Sequence, residues 1–325
     1  MMEWNFMALL LVLIGGFFAL NMGGSGIVPS FSAALGARLI TWKWAAICFF
    51  VFAGLGAMLF GASVAKTLGG ALVPPSILTT KVVLVVMIST TSCMFLANLL
   101  KLPESTSWVT VASISTVGCM KGNLHTETLL YKLLPAWVLL PIVGFVLTSM
   151  VVRYLYPLQA NSFRRHEFLL RHESSIQKFV LFSSCCVAVA IGSNNVANVV
   201  GPIAATGLVD VGWGLCLAAP VFGLGAFVFR APIQSVGKEI VPLGPFTASL
   251  IKCVFGSLLL IASLLGIPQS SVQLSFACVL AVAFAKDDMR VVLSNPVIRR
   301  VVLLWFVNPL IACGMTVLLM WGLGA

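Results

Sequence analysis

Charge is what this chain has least of. Lys, Arg, Asp and Glu make up 9% of its 325 residues, against roughly 25% in soluble domains. With 60% hydrophobic residues and a mean hydropathy of +1.09, a water-soluble fold is excluded. Histidine is scarce as well: His125, His166 and His172 stand in polar stretches with no ligand spacing. No paired acids, no nucleophile with a base and no metal cluster stand at a spacing that would build an enzyme site. The nine cysteines (Cys48, Cys93, Cys119, Cys185, Cys186, Cys216, Cys253, Cys278 and Cys313) lie inside apolar runs without CxxC spacing. They read as small packing residues and not as metal ligands, and no cofactor is called for.

Apolar length is abundant instead. Runs of about 20 nearly uncharged residues, the length of a bilayer-spanning helix, recur from end to end and do not alternate as barrel strands do. The expected fold is all-α and polytopic, in a lipid bilayer. The net charge of +10 could suggest nucleic acid, but the basic residues sit at the ends of apolar segments, where membrane topology explains them. The first apolar run follows Glu3 and ends without a small-residue cleavage pattern, so it is expected to remain as the first span.

Six apolar segments precede a polar connector and six follow it, and the two sets repeat. Gly54-Leu55-Gly56-Ala57 recurs in the second set as Gly223-Leu224-Gly225-Ala226. Trp137 and Pro141 recur as Trp305 and Pro309, LPESTSW at 102–108 mirrors IPQSSVQ at 267–273, and GGSGIVP at 23–29 falls on GSNNVAN at 192–198. The expected organisation is an N-terminal membrane repeat (1–152), a basic connector (153–175) and a C-terminal membrane repeat (176–325). Arg153, Arg164, Arg165, Arg171 and Lys178 in and beside the connector place it in the cytoplasm by the positive-inside rule. If the short segments 26–40 and 197–208 are re-entrant, each half crosses five times, the repeats are inverted and both termini lie outside. That topology leaves only Lys66, Lys81, Lys121 and Lys132 of the 19 basic residues outside. Inverted repeats with broken helices are the usual build of secondary transporters.

Four polar clusters interrupt the apolar runs: GGSG at 23–26, PEST at 103–106, GSNN at 192–195 and PQSS at 268–271. Each is expected to break a helix, so that a short helix restarts and offers its free N–H groups to an anion. Gly24, Ser25, Ser105, Thr106, Ser193, Asn194, Asn195, Ser270 and Ser271 are the candidate anion-binding residues. Gly23, Gly24 and Gly192 are expected to let the backbone approach the ligand. Glu104 is the only acid in these clusters, and with Asn194, Asn198 and Gln269 it forms the candidate ion-coupling set. Packing alone is the competing account of small and hydroxyl residues in membrane helices, but recurrence in both halves favours a site. Lys66, Lys81, Lys252 and Arg230 lie near segment ends and are expected to snorkel, with Lys81 or Lys252 a candidate counter-charge to the anion. The run 286–290, KDDMR, reads as a solvated cytoplasmic loop.

GSNNVANVVGPIAA closely resembles the GANDVANAxGPxAA signature of the PiT family of inorganic phosphate transporters. GGSGIVPSFSAALGARLIT resembles its first copy, GIPQSSVQ and KLPESTSW its LPxSTTH-type turns, and SVGKEIVPLGP its VGKxIxxLxP stretch. The resemblance covers nearly the whole chain and implies a cation-coupled importer of a tetrahedral oxyanion. It departs from the family at Asn194-Asn195 and Ser25-Gly26, where the signature has Asn-Asp, and at Pro29, where it has asparagine. In this it is similar to the CysP-type sulfate permease branch of the family. A site without those acids suits sulfate, which has no proton to donate to a carboxylate. The expected function is therefore sulfate import by alternating access in the bacterial cytoplasmic membrane, coupled to H+ or Na+. Phosphate symport is the alternative, followed by an anion channel, and homodimerisation is compatible with either.

Overall fold

The computed structural model describes residues 2–100, 104–155, 171–229 and 244–324. Among them, eight helices are long and apolar enough to cross a membrane. In chain order the helices are α1 (Met2–Gly36), α2 (Trp42–Phe60), α3 (Ala62–Lys66), α4 (Thr80–Leu99), α5 (Thr106–Met120) and α6 (Leu134–Leu155). They continue with α7 (Glu173–Asn195), α8 (Ala197–Ala205), α9 (Val211–Val228), α10 (Pro245–Leu264), α11 (Ser271–Lys286), α12 (Met289–Ser294) and α13 (Pro296–Leu323). No strand occurs among the described residues. Much of the connector, with Arg164, Arg165 and His166, lies outside them, as do Arg230 and most of SVGKEIVPLGP.

Lipid solvation explains which helices lie inside. α4 and α7 are the most enclosed of the long helices, while α6 and α13 are the most exposed. The outer pair turns Val138, Leu139, Ile142 and Val146, or Leu303, Phe306, Leu310 and Leu318, outward. Apolar side chains cost nothing there, because lipid tails solvate them as well as a core would.

Two expectations fail here for one reason. GGSG does not break α1, which runs 35 residues through it and through Pro29. GSNN forms the last turn of α7, and α8 follows after Val196, whose backbone is itself helical. Segments 26–40 and 197–208 are thus continuations of long helices and not separate re-entrant pieces. A helix in lipid keeps its own hydrogen bonds even where glycines weaken it, since no water replaces them.

The glycines serve helix crossings. A Cβ at Gly192 of α7 would stand 1.9 Å from the carbonyl oxygen of Ala53 on α2, and one at Gly56 of α2 would stand 2.0 Å from that of Val189 on α7. The same crossing recurs at the matching positions of the repeat, with the halves exchanged. There a Cβ at Gly23 of α1 would stand 1.7 Å from the Phe222 carbonyl oxygen of α9, and one at Gly225 of α9 would stand 2.1 Å from that of Leu20 on α1. The outer helices exchange likewise: α6 packs on α11, and α13 on α5. The expected role of Gly23, Gly24 and Gly192 as close-approach positions for a ligand is therefore corrected. They bring helices together, Gly24 against Phe229 and Gly225.

Candidate functional site

At the other two clusters a helix starts as expected, at Thr106 and at Ser271, while Pro103 lies outside the described residues. α10 ends at Leu264 through the left-handed Gly266, and beyond Pro268 Ser270 caps α11 by accepting the Gln273 N–H at 3.1 Å. Ser105 caps α5 by accepting the Trp108 N–H at 3.3 Å. Each cap leaves first-turn N–H groups with no partner inside the helix, at its positive end. The two turns touch, because Ser107 donates to the Gln269 carbonyl at 3.2 Å. Trp137 steadies them from α6, stacking on Trp108 at 4.7 Å and donating its indole N–H to the Pro268 carbonyl at 2.9 Å.

Asn194 is the hub of this cluster. Its Nδ2 donates to Ser263 Oγ at 3.0 Å and to the Ile267 carbonyl at 3.1 Å. Its Oδ1 accepts the Gln269 N–H at 3.1 Å and the Ser107 hydroxyl at 3.4 Å. One fully buried amide thereby ties α7 to both hairpin turns. Ser193 adds a bond to Ser263 at 2.9 Å, and Asn198 donates to Thr106 Oγ1 and Ser107 Oγ at 3.4 Å each. A carboxylate could not replace Asn194, since it has no proton for the Ile267 carbonyl.

Several buried oxygens remain unpartnered: both of Glu104, Oδ1 of Asn195 and of Asn198, and Oε1 of Gln269 and of Gln273. Such groups are costly to bury empty-handed, so a native structure that keeps them points to a ligand, ion or proton. Glu104 stands in the turn before α5, outside the spanning helices, and burial pushes its carboxyl up to about 8. At 7% exposed, Glu104 is enclosed by the bundle and is not a solvated turn residue.

The structure therefore brings Ser105, Thr106, Ser193, Asn194, Asn198 and Gln269 together by shared helices and hydrogen bonds, with Glu104 and Ser270 adjoining in the same turns. Asn195 is buried beside Asn194, and Ser271 opens α11 half-buried. Gly24 and Ser25 have no hydrogen bond to this cluster among the described residues. The Ser25 hydroxyl donates to Met22 of its own helix at 2.9 Å. Two residues of this cluster escape a sequence reading. Ser107 could have been found as the next hydroxyl in the LPESTSW turn, whereas Ser263 is a lone serine in an apolar helix and carries no signal. Lys81 donates to the Gly324 carbonyl at 3.0 Å, closing the end of α13, and Lys66 is exposed. Lys252 does not snorkel: it is buried in α10.

A bundle of eight long apolar helices around two facing half-helices and a buried polar hub is a membrane-transporter architecture. The sequence profile of the phosphate transporter family matches residues 22–316, and the chain belongs to that family. It is an inorganic-anion transporter and not an enzyme. The chain is 30% identical over 318 residues to the sulfate permease CysP of Bacillus subtilis, covering 96% of this chain and 87% of that protein. It is 24% identical over 381 residues to a putative phosphate permease of Pyrococcus furiosus, covering 92% of each. The solved structure of a sodium-dependent phosphate transporter superposes with a TM-score of 0.81 at 20% identity, covering 98% of this chain and 99% of that one.

Proposed function

We propose that the protein imports inorganic sulfate across the cytoplasmic membrane by alternating access, coupled to a cation. The observation that carries the choice of anion is Asn195. It is buried beside the hydrogen-bonded Asn194, at the position where the family signature has an acid, so the signature pair holds no carboxylate. The N-terminal ends of α5 and α11, with Ser105, Thr106, Ser270 and Ser271, supply donors for a dianion. The 30% identity to a sulfate permease supports the same choice. Competition of labelled sulfate uptake into proteoliposomes by selenate, thiosulfate and phosphate tests it. Phosphate competing as well as selenate would overturn sulfate specificity, and flux that never saturates or accumulates would mark a channel.

The second reading is phosphate, and the unpartnered acceptor oxygens of Glu104, Asn195, Asn198, Gln269 and Gln273 favour it, since one of them could take the proton of hydrogen phosphate. In the sulfate reading the same oxygens hold the coupled Na+ or carry H+. Asn195→Asp separates the two. It restores the signature acid, and sulfate uptake is expected to fall about tenfold, as a like charge at the anion disfavours binding. Phosphate uptake should hold or rise, and unchanged sulfate rates would remove the argument from charge.

Glu104 is proposed as the proton carrier. Its carboxyl is neutral below about pH 8 and ionised above it. Sulfate uptake should therefore decline as the pH rises through that range, when the ionised form repels the dianion. Glu104→Gln should transport with a flat profile over the same window. Full wild-type pH dependence in that variant would remove the role. The organisation proposed with it is two inverted repeats, 1–152 and 176–325, joined by a cytoplasmic connector, with both termini outside. The reciprocal glycine crossings support a pseudo-twofold relation between the halves.

A further inference from the structure

Glu104 and Lys252 are the two charged side chains buried among the described residues, and transport as proposed uses only the first. Lys252 projects from α10 and donates from Nζ to the Ser30 carbonyl of α1 and to the Ser184 hydroxyl of α7, the latter at 3.2 Å. No acid pairs with it among the described residues. Its partners are a carbonyl and a hydroxyl, the neutral hard oxygens that also bind small alkali cations. A buried charge without a counter-charge is expensive, so its retention asks for a role.

The fold does not require it. In the register that pairs LPESTSW with IPQSSVQ, α4 carries Met87 where α10 carries Lys252. In the register that pairs the two GLGA motifs, Gly15 stands for Ser184 and Val199 for Ser30. A Cβ at Gly15 would lie 3.3 Å from Val199 Cγ1, so the counterpart crossing is made with apolar contact. One half thus builds this junction without charge and the other places an ammonium in it. The junction joins α1 of the first half to α7 and α10 of the second, the two helices that also carry Asn194 and Ser263. Ser184 precedes Asn194 on α7 by nearly three helical turns, or about 15 Å at the helical rise.

We propose that Lys252 is a tethered cation, its ammonium seated in an oxygen-lined site of the kind a free monovalent cation occupies. The carrier thereby holds one positive charge between its halves without drawing an ion from solution. The transport consequence rests on the carrier function proposed above, but the cation site does not.

Truncating the lysine should vacate the site for a free ion, whereas methionine should fill it. Lys252→Ala and Lys252→Met are purified in lipid nanodiscs and melted in NaCl, KCl or methylammonium chloride, with N-methyl-D-glucamine chloride as the ionic-strength control. Lys252→Ala should gain several degrees in Tm from a small cation, as expected when a ligand binds the folded state alone, and Lys252→Met should not. In proteoliposomes both should lose more than about tenfold in sulfate uptake, with Lys252→Ala alone recovering to within about threefold of wild type in a small cation. An identical cation response of the two variants in melting, or wild-type uptake by Lys252→Met, overturns the proposal. If Lys252→Ala does not fold, Lys252→Asn, which keeps a donor for Ser30, replaces it in both assays. Should the wild type carry no oxyanion, the carrier function fails while the melting comparison still decides the cation site.

Discussion

Asn194→Ala will abolish anion uptake, by about a hundredfold or more, from protein that still reaches the membrane. The substitution removes both donors and the acceptor that hold the two hairpin turns on α7. It leaves the Ile267 carbonyl and the Gln269 N–H buried without their partner, at about 1–3 kcal/mol each. The larger loss is positional: Asn194 ties the turns before α5 and α11 to α7, and small displacements of binding groups cost large factors in rate. Asn194→Asp should fare no better, since its carboxylate would face the Ile267 carbonyl with no proton to share. Initial rates of labelled uptake in proteoliposomes, normalised to incorporated protein, measure both. Rates within threefold of wild type for Asn194→Ala would show that the turns are held by something else.

Gly192→Val will yield no monodisperse protein. The added Cβ would sit 1.9 Å from the Ala53 carbonyl oxygen, and the obstacle is backbone, which cannot rotate aside. Separating α2 from α7 enough to admit it would open a crossing between the halves, at a cost beyond the ~3 kcal/mol of ordinary overpacking. Gly54→Ala is the control, because nothing lies within 4 Å of a Cβ there, although Gly54 and Gly56 belong to one GLGA motif. Size-exclusion profiles of detergent extracts distinguish them: the peak should vanish for the first and persist for the second. A normal peak for Gly192→Val would mean that this crossing does not hold the halves together.

The contrast between Gly54 and Gly56 also marks where sequence reading stops. Recurrence of GLGA in the second half announces a duplication, but only packing tells which glycine of the motif meets another helix. Spans and the starts of α5 and α11 are legible because each rests on a local cause: apolar length, or proline followed by a capping serine. GGSG and GSNN mislead because glycine signals a break only where water can solvate the freed backbone. Inside the bundle the same residues signal contact, and no local pattern separates the two. Ser263 is invisible for a related reason, since its importance comes from Asn194 and Ser193, which stand on another helix far back in the sequence. Lys252 reads as interfacial from its place near the start of an apolar segment, whereas α10 begins at Pro245 and sets it two turns deep.

The exchanged crossings carry a consequence for biogenesis. Gly23 and Gly56 of the first half present bare backbone to partners, Phe222 and Val189, that belong to the second. During synthesis α1 and α2 must therefore wait in the bilayer, their closest-packing faces uncovered, until the second half emerges. Contacts of such long sequence separation form late and leave the early half open to proteolysis or misassembly. Released as a fragment, the first half should be cleared by the cell, and co-expression of the second half should rescue both.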